Sequence, residues 1–375
     1  MNKEKEVVVS LLKDIGIIVN GDKPYDIQVH NDKLYSRVLS QGSLGLGESY
    51  MDGWWDCENL DQFFTIALQA DLQKKIRGNW RILIKFLWIC VTNFFNASRL
   101  KKAFDIGEKH YDIGNDLYRL MLDKRLTYTC GYWREAKNLD EAEEAKLDLI
   151  CRKVGLKAGQ TVLDIGSGWG SFIGFVAEKY GAKAVGITVS KEQKVLADSI
   201  YKNNLVETRI MDYRDLNEKF DHIVSVGMFE HVGPKNYRKY METASRCLKD
   251  DGIFLLHTIG CNGTAIIGGD PWFDKYIFPG GWLPSIKQIA ESVEGLFIIE
   301  DWHNFGPDYD KTLMAWHKNF EDNWDKIKSD YDERFHRMWR YYLLIAAATF
   351  RSRKNQLWQV VLSKKGVPGG YKSIR

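Results

Sequence analysis

At 375 residues, with 45% hydrophobic and 27% charged residues, the chain is long enough for a large core and is not composed like a disordered protein. A formal net charge of +3 excludes the strongly basic balance of a dedicated nucleic-acid binder, so the placement of charge matters more than its sum. The six cysteines show neither a CxxC pair nor metal-ligand spacing, which fits free thiols in a reducing compartment and predicts no metal site.

The N-terminal stretch MNKEKEVVVSLLKDIG mixes charged and apolar residues without a long apolar run, so no signal peptide is expected. Residues 1 to about 70 read as short helical and strand-like pieces separated by Gly-rich turns. Beyond them, Ile76, Trp80, Leu83, Leu87, Val91 and Phe94 recur at helical spacing, with Lys74, Arg77, Arg81 and Lys85 on another face. Two readings stay open for this segment. It lies in an anionic lipid interface, or it buries the same face against its own domain. The longest apolar run, Ile82 to Phe95, is too short for a membrane span and is broken by Lys85.

From Thr161 the pattern becomes strand-helix alternation. TVLDIG, AKAVGITV, VETRIMD, DHIVSVGM and GIFLLHTIG read as strands, and LFIIEDWH and LWQVVLSK as two late ones. A helix with Ser190 as N-cap follows the second strand, and another runs from about Pro234 to Leu248. The fold class is α/β: a doubly wound, mainly parallel sheet with a smaller N-terminal domain, divided as 1–95 and 96–375. The long segment from Cys261 to Ser285, rich in Gly, Pro and aromatics, reads as a lid or substrate wall.

VLDIGSGWG, Val162 to Gly170, sits between a strand and a helix, where glycines let a ligand approach the backbone. Its GxGxG spacing is not the GxGxxG of a pyrophosphate site, and no acid closes the second strand. Neutral contacts from Thr188 and Gln193 take that place.

HYDIGNDLY, TYTCGYW, VLDIGSGWG, VGITVSKEQ, GMFEHVG, LLHTIG, GGWLPS and GPDYDKTLMAWHKNF, in that order, resemble the cyclopropane-fatty-acyl-phospholipid synthase family of the mycolic acid cyclopropane synthase superfamily. The resemblance spans nearly the whole chain and implies a Rossmann-like class I methyltransferase fold that uses S-adenosylmethionine. The matching cofactor positions are Tyr128, Thr129, Asp164, Gly166, Ser167, Gly168, Gly170, Thr188, Gln193, Tyr213 and Arg214. Arg214 departs from relatives that carry an acid there. The resemblance also implies a bound bicarbonate ion as base, held by Cys130, Glu230, His257, the Ile259 backbone and Tyr309.

The chemistry is consistent with that implication. An alkene is a weak nucleophile, and its methylation by a sulfonium leaves a carbocation that must lose a proton before water traps it. Phe229, Tyr276, Trp282 and Tyr309 are candidate aromatic walls for such a cation. Because a buried Glu beside an anion is unfavourable, the cluster is expected to hold the ion through shared hydrogen bonds. The implied substrate is unsaturated phospholipid. The implied setting is the anionic inner face of the membrane, reached peripherally from the cytoplasm by a homodimer. Two alternatives are a methyltransferase that stops at methyl addition and a non-catalytic peripheral membrane protein.

Overall fold

A computed structural model of the chain describes residues 3–70, 114–264 and 269–375. The basic amphipathic stretch at 74–95 lies outside the described residues. Within them the chain divides into two compact units. The first comprises 3–70, 269–279 and 313–354, and the second 114–264, 280–312 and 355–375.

The first unit therefore takes in two later segments that a single cut after residue 95 assigns elsewhere. The reason lies in the helix Glu333–Arg351, one face of which is aromatic and apolar. Its Tyr341 meets Phe64 edge-on at 5.1 Å between ring centroids and Tyr50 at 5.5 Å. Its Arg337 donates to the carbonyls of Tyr50 (2.5 Å) and Trp55 (2.9 Å), and Arg351 pairs with Asp61. A helix with such a face needs a partner, and the N-terminal helices provide it. The same unit holds a small antiparallel ribbon of β1 (Gln28–Val29) and β2 (Trp55–Asp56).

The second unit is built on a seven-stranded sheet: β3 (Thr161–Ile165), β4 (Lys183–Thr188), β5 (Val206–Ile210), β6 (Phe220–Val226), β7 (Leu248–Cys261), β8 (Ile298–Asn304) and β9 (Asn355–Ser363). Its order is β5-β4-β3-β6-β7-β9-β8, with the first five strands parallel and β9 antiparallel to both β7 and β8. This is the doubly wound, mainly parallel sheet that strand-helix alternation predicts. Apolar residues dominate both faces of the inner strands, which pack into a core on either side of the sheet. Leu163, Ile165 and Ile223 pack into one core, while their neighbours Val162 and Val224 pack into the other.

The helices are punctuated as their sequences dictate. Asn138 caps Leu139–Val154 by accepting from the Glu141 amide, and Gly155, at φ 68°, ends it. Ser190 caps Lys191–Ile200 through the Gln193 amide, at the position expected. The second helix begins at Tyr237 and follows a short 3-10 turn at Pro234–Asn236. The Cys261–Ser285 segment contains the six-residue helix Pro271–Tyr276, and part of that segment lies outside the described residues.

Gly260 shows how tightly β7 and β9 are packed, since a Cβ there would lie 2.0 Å from the Trp358 ring. Gly260→Ala is expected to cost about 1–3 kcal/mol by overpacking and to lower the melting temperature by several degrees. Gly263→Ala, where nothing lies within 4 Å, should leave it unchanged. Calorimetry of both variants checks the contrast.

Candidate active site

The loop after β3 forms one side of the site. Gly166 has φ 89°, and a Cβ on it would stand 2.6 Å from the Met228 side chain. Only glycine fits this left-handed, crowded turn. The Gly166 and Ser167 amides both donate to the Ile187 carbonyl at 3.0 and 2.9 Å, which pins the loop to β4. Gly168 and Gly170 also have positive φ, at 54° and 86°. Between them Trp169 is buried; its indole N–H donates to Asn115 at 3.1 Å and its ring packs 4.7 Å from Tyr118. Tyr118 meets Tyr128 edge-on at 5.2 Å, which brings the TYTCGYW segment beside the Gly loop.

Asp164, at the end of β3, is buried with one carboxyl oxygen unpartnered, and burial pushes its pKa up to about 7. At the end of β4, the Thr188 hydroxyl donates to the Gln193 side-chain carbonyl at 2.7 Å, so these two expected contacts orient each other. Tyr213 and Arg214 lie in a short 3-10 turn after β5. The Arg214 guanidinium grips the Asp212 carboxylate with bonds of 2.7 and 2.5 Å. That pairing accounts for a basic residue at this position, because its charge is balanced locally.

The second side of the site gathers residues far apart in sequence. Glu230 lies in the turn Phe229–His231 just past β6 and is buried. One of its oxygens accepts the Ile259 amide at 2.6 Å, while the other has no partner. Burial lifts this carboxyl to about 7, against the Ile259 bond that lowers it. The Ile259 amide, expected to face the ion, is thus occupied by Glu230 and fixes that side chain. His257 pairs in register with Val226, the last residue of β6. Gln359 of β9 donates to its Nδ1 at 3.2 Å, which places the imidazole proton on Nε2, and Nε2 has no partner. Burial, aided by Lys146, Lys153 and His303, holds His257 well below its ordinary value, so it is neutral.

The helix Pro307–Ile327 carries Tyr309 and meets the Cys130 segment. Tyr309 is buried in its first turn. One turn on, Thr312 accepts the Gly131 amide at 3.1 Å and the Trp133 indole N–H at 2.8 Å, and contacts the Cys130 sulfur at 3.8 Å. Burial raises the Cys130 thiol well above its usual range, which makes it a poor nucleophile. Phe305, just before this helix, lies 5.9 Å from the His257 ring and 5.4 Å from Tyr132.

The four candidate wall aromatics separate. The Trp282 amide donates to the Glu230 carbonyl at 2.8 Å, and Tyr309 lies in the helix turn just described. Phe229 is stacked on Tyr237 at 4.2 Å within the core, and the Tyr276 hydroxyl donates to Glu48 in the first unit. Sequence reasoning missed Gln359 and Lys146. A lone glutamine in the apolar strand LWQVVLS was a readable signal, whereas a lysine on a helix gives none. Asp164, Glu230 and His257 each bury a polar atom without a partner, a cost of about 1–3 kcal/mol apiece that a bound ligand relieves. The donor set therefore fits a polar ligand at the carboxyl ends of β3, β6 and β7.

A family profile described as mycolic acid cyclopropane synthetase matches residues 98–360. The chain is 50% identical over 365 residues to the cyclopropane-fatty-acyl-phospholipid synthase of Escherichia coli strain K12, covering 97% of this chain and 94% of that one. Its fold is similar to the cyclopropane synthase MmaA2 of Mycobacterium tuberculosis, with a TM-score of 0.66, 30% identity and coverage of 70% and 98%. It is likewise similar to the mycolic acid cyclopropane synthase CmaA1 complexed with SAH and CTAB, with a TM-score of 0.65, 32% identity and coverage of 70% and 98%.

The raised carboxyl of Glu230 has a measurable consequence. Because its folded value of about 7 exceeds that of the unfolded chain, its contribution to stability is complete below the ordinary carboxyl range and is lost as pH rises through about 7. Glu230→Gln removes the ionisation, so its melting temperature relative to wild type should rise between pH 5 and pH 8. A pH-independent difference contradicts this assignment.

Proposed function

The chain belongs to the mycolic acid cyclopropane synthetase family, and from that premise we propose that it transfers a methylene unit from S-adenosylmethionine to the cis double bond of an unsaturated phospholipid acyl chain. The observation that carries the reading is the half-satisfied Glu230 carboxyl, held by Ile259 near the neutral His257 at the end of the sheet that bears the Gly loop.

When bound, S-adenosylmethionine supplies the electrophilic methyl, and a bicarbonate ion supplies the base. Tyr128, Thr129, Asp164, the loop Gly166–Gly170, Thr188, Gln193, Tyr213 and Arg214 would hold the first. Cys130, Glu230, His257 and Tyr309 would hold the second, with the Ile259 amide fixing Glu230. Bound there, the donor would supply the methyl for a new carbon-carbon bond and leave as its thioether, and the ion would take the proton whose loss lets the ring close. The residues of the chain serve this sequence by position. His257 presents a proton on Nε2, and Glu230, whose carboxyl burial keeps protonated up to about pH 7, presents one on its open oxygen below that pH. Two neutral donors hold an anion without a charge pair, and without stripping it of basicity as a full cation would. Burial around them keeps water from the reacting carbon.

We further propose that the protein works peripherally at the inner face of the membrane, as a homodimer whose mass light scattering reads directly. Among the described residues no helix is long and apolar enough to cross a bilayer. The basic stretch at 74–95 has the composition to meet anionic lipid. Charge reversal at Lys74, Arg77 and Arg81 should reduce co-sedimentation with anionic vesicles, and unchanged sedimentation removes that role.

Incubation with unsaturated phospholipid vesicles and S-adenosylmethionine should add one CH2 per modified acyl chain, in a product that resists mild hydrogenation. Glu230→Gln should retain cofactor binding while turnover falls by roughly 10²-fold or more. A product that hydrogenation reduces indicates a methyl-branched alkene and overturns ring formation.

A further inference from the structure

On the helix Leu139–Val154 the side chains of Glu143 and Lys146 are both fully buried. Neither is among the residues proposed to touch the cofactor or the ion. A buried lysine is normally explained by a tight ion pair, and here that explanation is thin. Lys146 Nζ stands 3.3 Å from one Glu143 oxygen, and neither Glu143 oxygen has a partner of hydrogen-bond geometry. Burial pushes the Glu143 carboxyl well above its ordinary range, against the pull of Lys146.

The short contact of the ammonium goes elsewhere, to the Thr129 hydroxyl oxygen at 2.7 Å. Thr129 is held on its other side too. A Cβ on Gly227 would lie 2.6 Å from the Thr129 methyl, and the Gly227 amide donates to the His257 carbonyl at 3.0 Å. The neighbouring backbone is clamped to the same helix. The Tyr132 amide donates to the Ala142 carbonyl at 2.8 Å, and a Cβ on Gly131 would lie 2.8 Å from that of Ala142. Lys146 thus reaches through Thr129 to the end of β6, between the Gly loop and His257.

We infer that Lys146 is a positioning residue for the sulfonium donor, which fixes the Thr129 hydroxyl so that its proton faces the ligand. An ammonium can only donate, so a hydroxyl that accepts from it must turn its own proton away. That proton is then committed to an acceptor in the site, such as the anionic end of an amino-acid-derived sulfonium. The positive charge also bears on the site beyond Thr129, since Lys146 lowers the proton affinity of both Asp164 and His257. The inference rests on the reading of this site as one for S-adenosylmethionine.

Titration calorimetry of the full chain with S-adenosylhomocysteine tests it without reference to turnover. Wild type is expected to bind. Lys146→Met combined with Glu143→Gln, which removes the buried pair together, should weaken binding about tenfold, the scale of one well-placed hydrogen bond. Lys146→Gln with Glu143→Gln keeps a donor for Thr129 and should restore most of the affinity. Thr129→Val should match the Lys146→Met loss, Thr129→Ser should not, and adding Thr129→Val to the Lys146→Met pair should cost nothing more. Thr129→Val leaves both buried charges in place, so it decides the matter even where a Lys146 variant does not fold. Wild-type affinity in folded Thr129→Val or Lys146→Met protein, or independent losses that multiply, overturns the inference alone. Failure of wild type to bind overturns the reading of the site beneath it.

Discussion

The hydrogen bond from the Ile259 amide to Glu230 is available only because β7 outruns β6. In-register pairing between the two strands stops at Val226 and His257, yet β7 continues to Cys261, paired with β9 throughout and bridged to Ser285 at its last residue. Past His257 the β6 partner is gone, and before the Cys261 bridge the Ile259 N–H finds the Glu230 carboxyl in place of a strand. A buried backbone donor must be satisfied, and this one is satisfied by a side chain whose second oxygen stays open. The same strand end presents His257, whose carbonyl accepts the Gly227 amide and whose ring is turned by Gln359. A difference in strand length thereby becomes a polar site.

The electrostatics follow from burial more than from pairing. Glu230 and Asp164 are pushed toward neutrality by desolvation, and His257 is held neutral by the same cause, with lysines behind it. Lys153, buried beside His303 at 3.0 Å, is itself pushed down to about 7. The ordinary expectation of a charged Glu and a positive His gives way to two neutral hydrogen-bond donors. Such a site suits a reaction in which a cation forms on a hydrocarbon and an anion must collect a proton in the absence of water. A nucleophilic role for Cys130 is disfavoured on the same ground, since its thiol is raised by burial.

Much of this was legible in the sequence, and where it failed the reasons are physical. Largely apolar strands and the GxGxG turn announce themselves, because both faces of the sheet are covered and because Gly166 has no room for a side chain. Ser190 as a cap follows from local chemistry. The two later segments of the first unit were not legible, because the partner of the 333–351 helix lies hundreds of residues upstream. Phe229 and Tyr276 look identical to wall aromatics in sequence, yet one packs in the core and the other serves Glu48. Lys146 was hidden for a related reason. A lysine among DEAEEAK reads as a solvated face, and only packing reveals that it points inward.

The account stands on the protonation state of one carboxyl. Carbon-13 NMR of protein labelled at the glutamate side-chain carboxyl, with Glu230→Gln to assign the signal, measures that state directly. A Glu230 signal that titrates with a midpoint near 7 is the predicted result. A midpoint near the ordinary value of 4.5 means that the carboxyl is ionised and solvated, and the neutral-donor site does not exist.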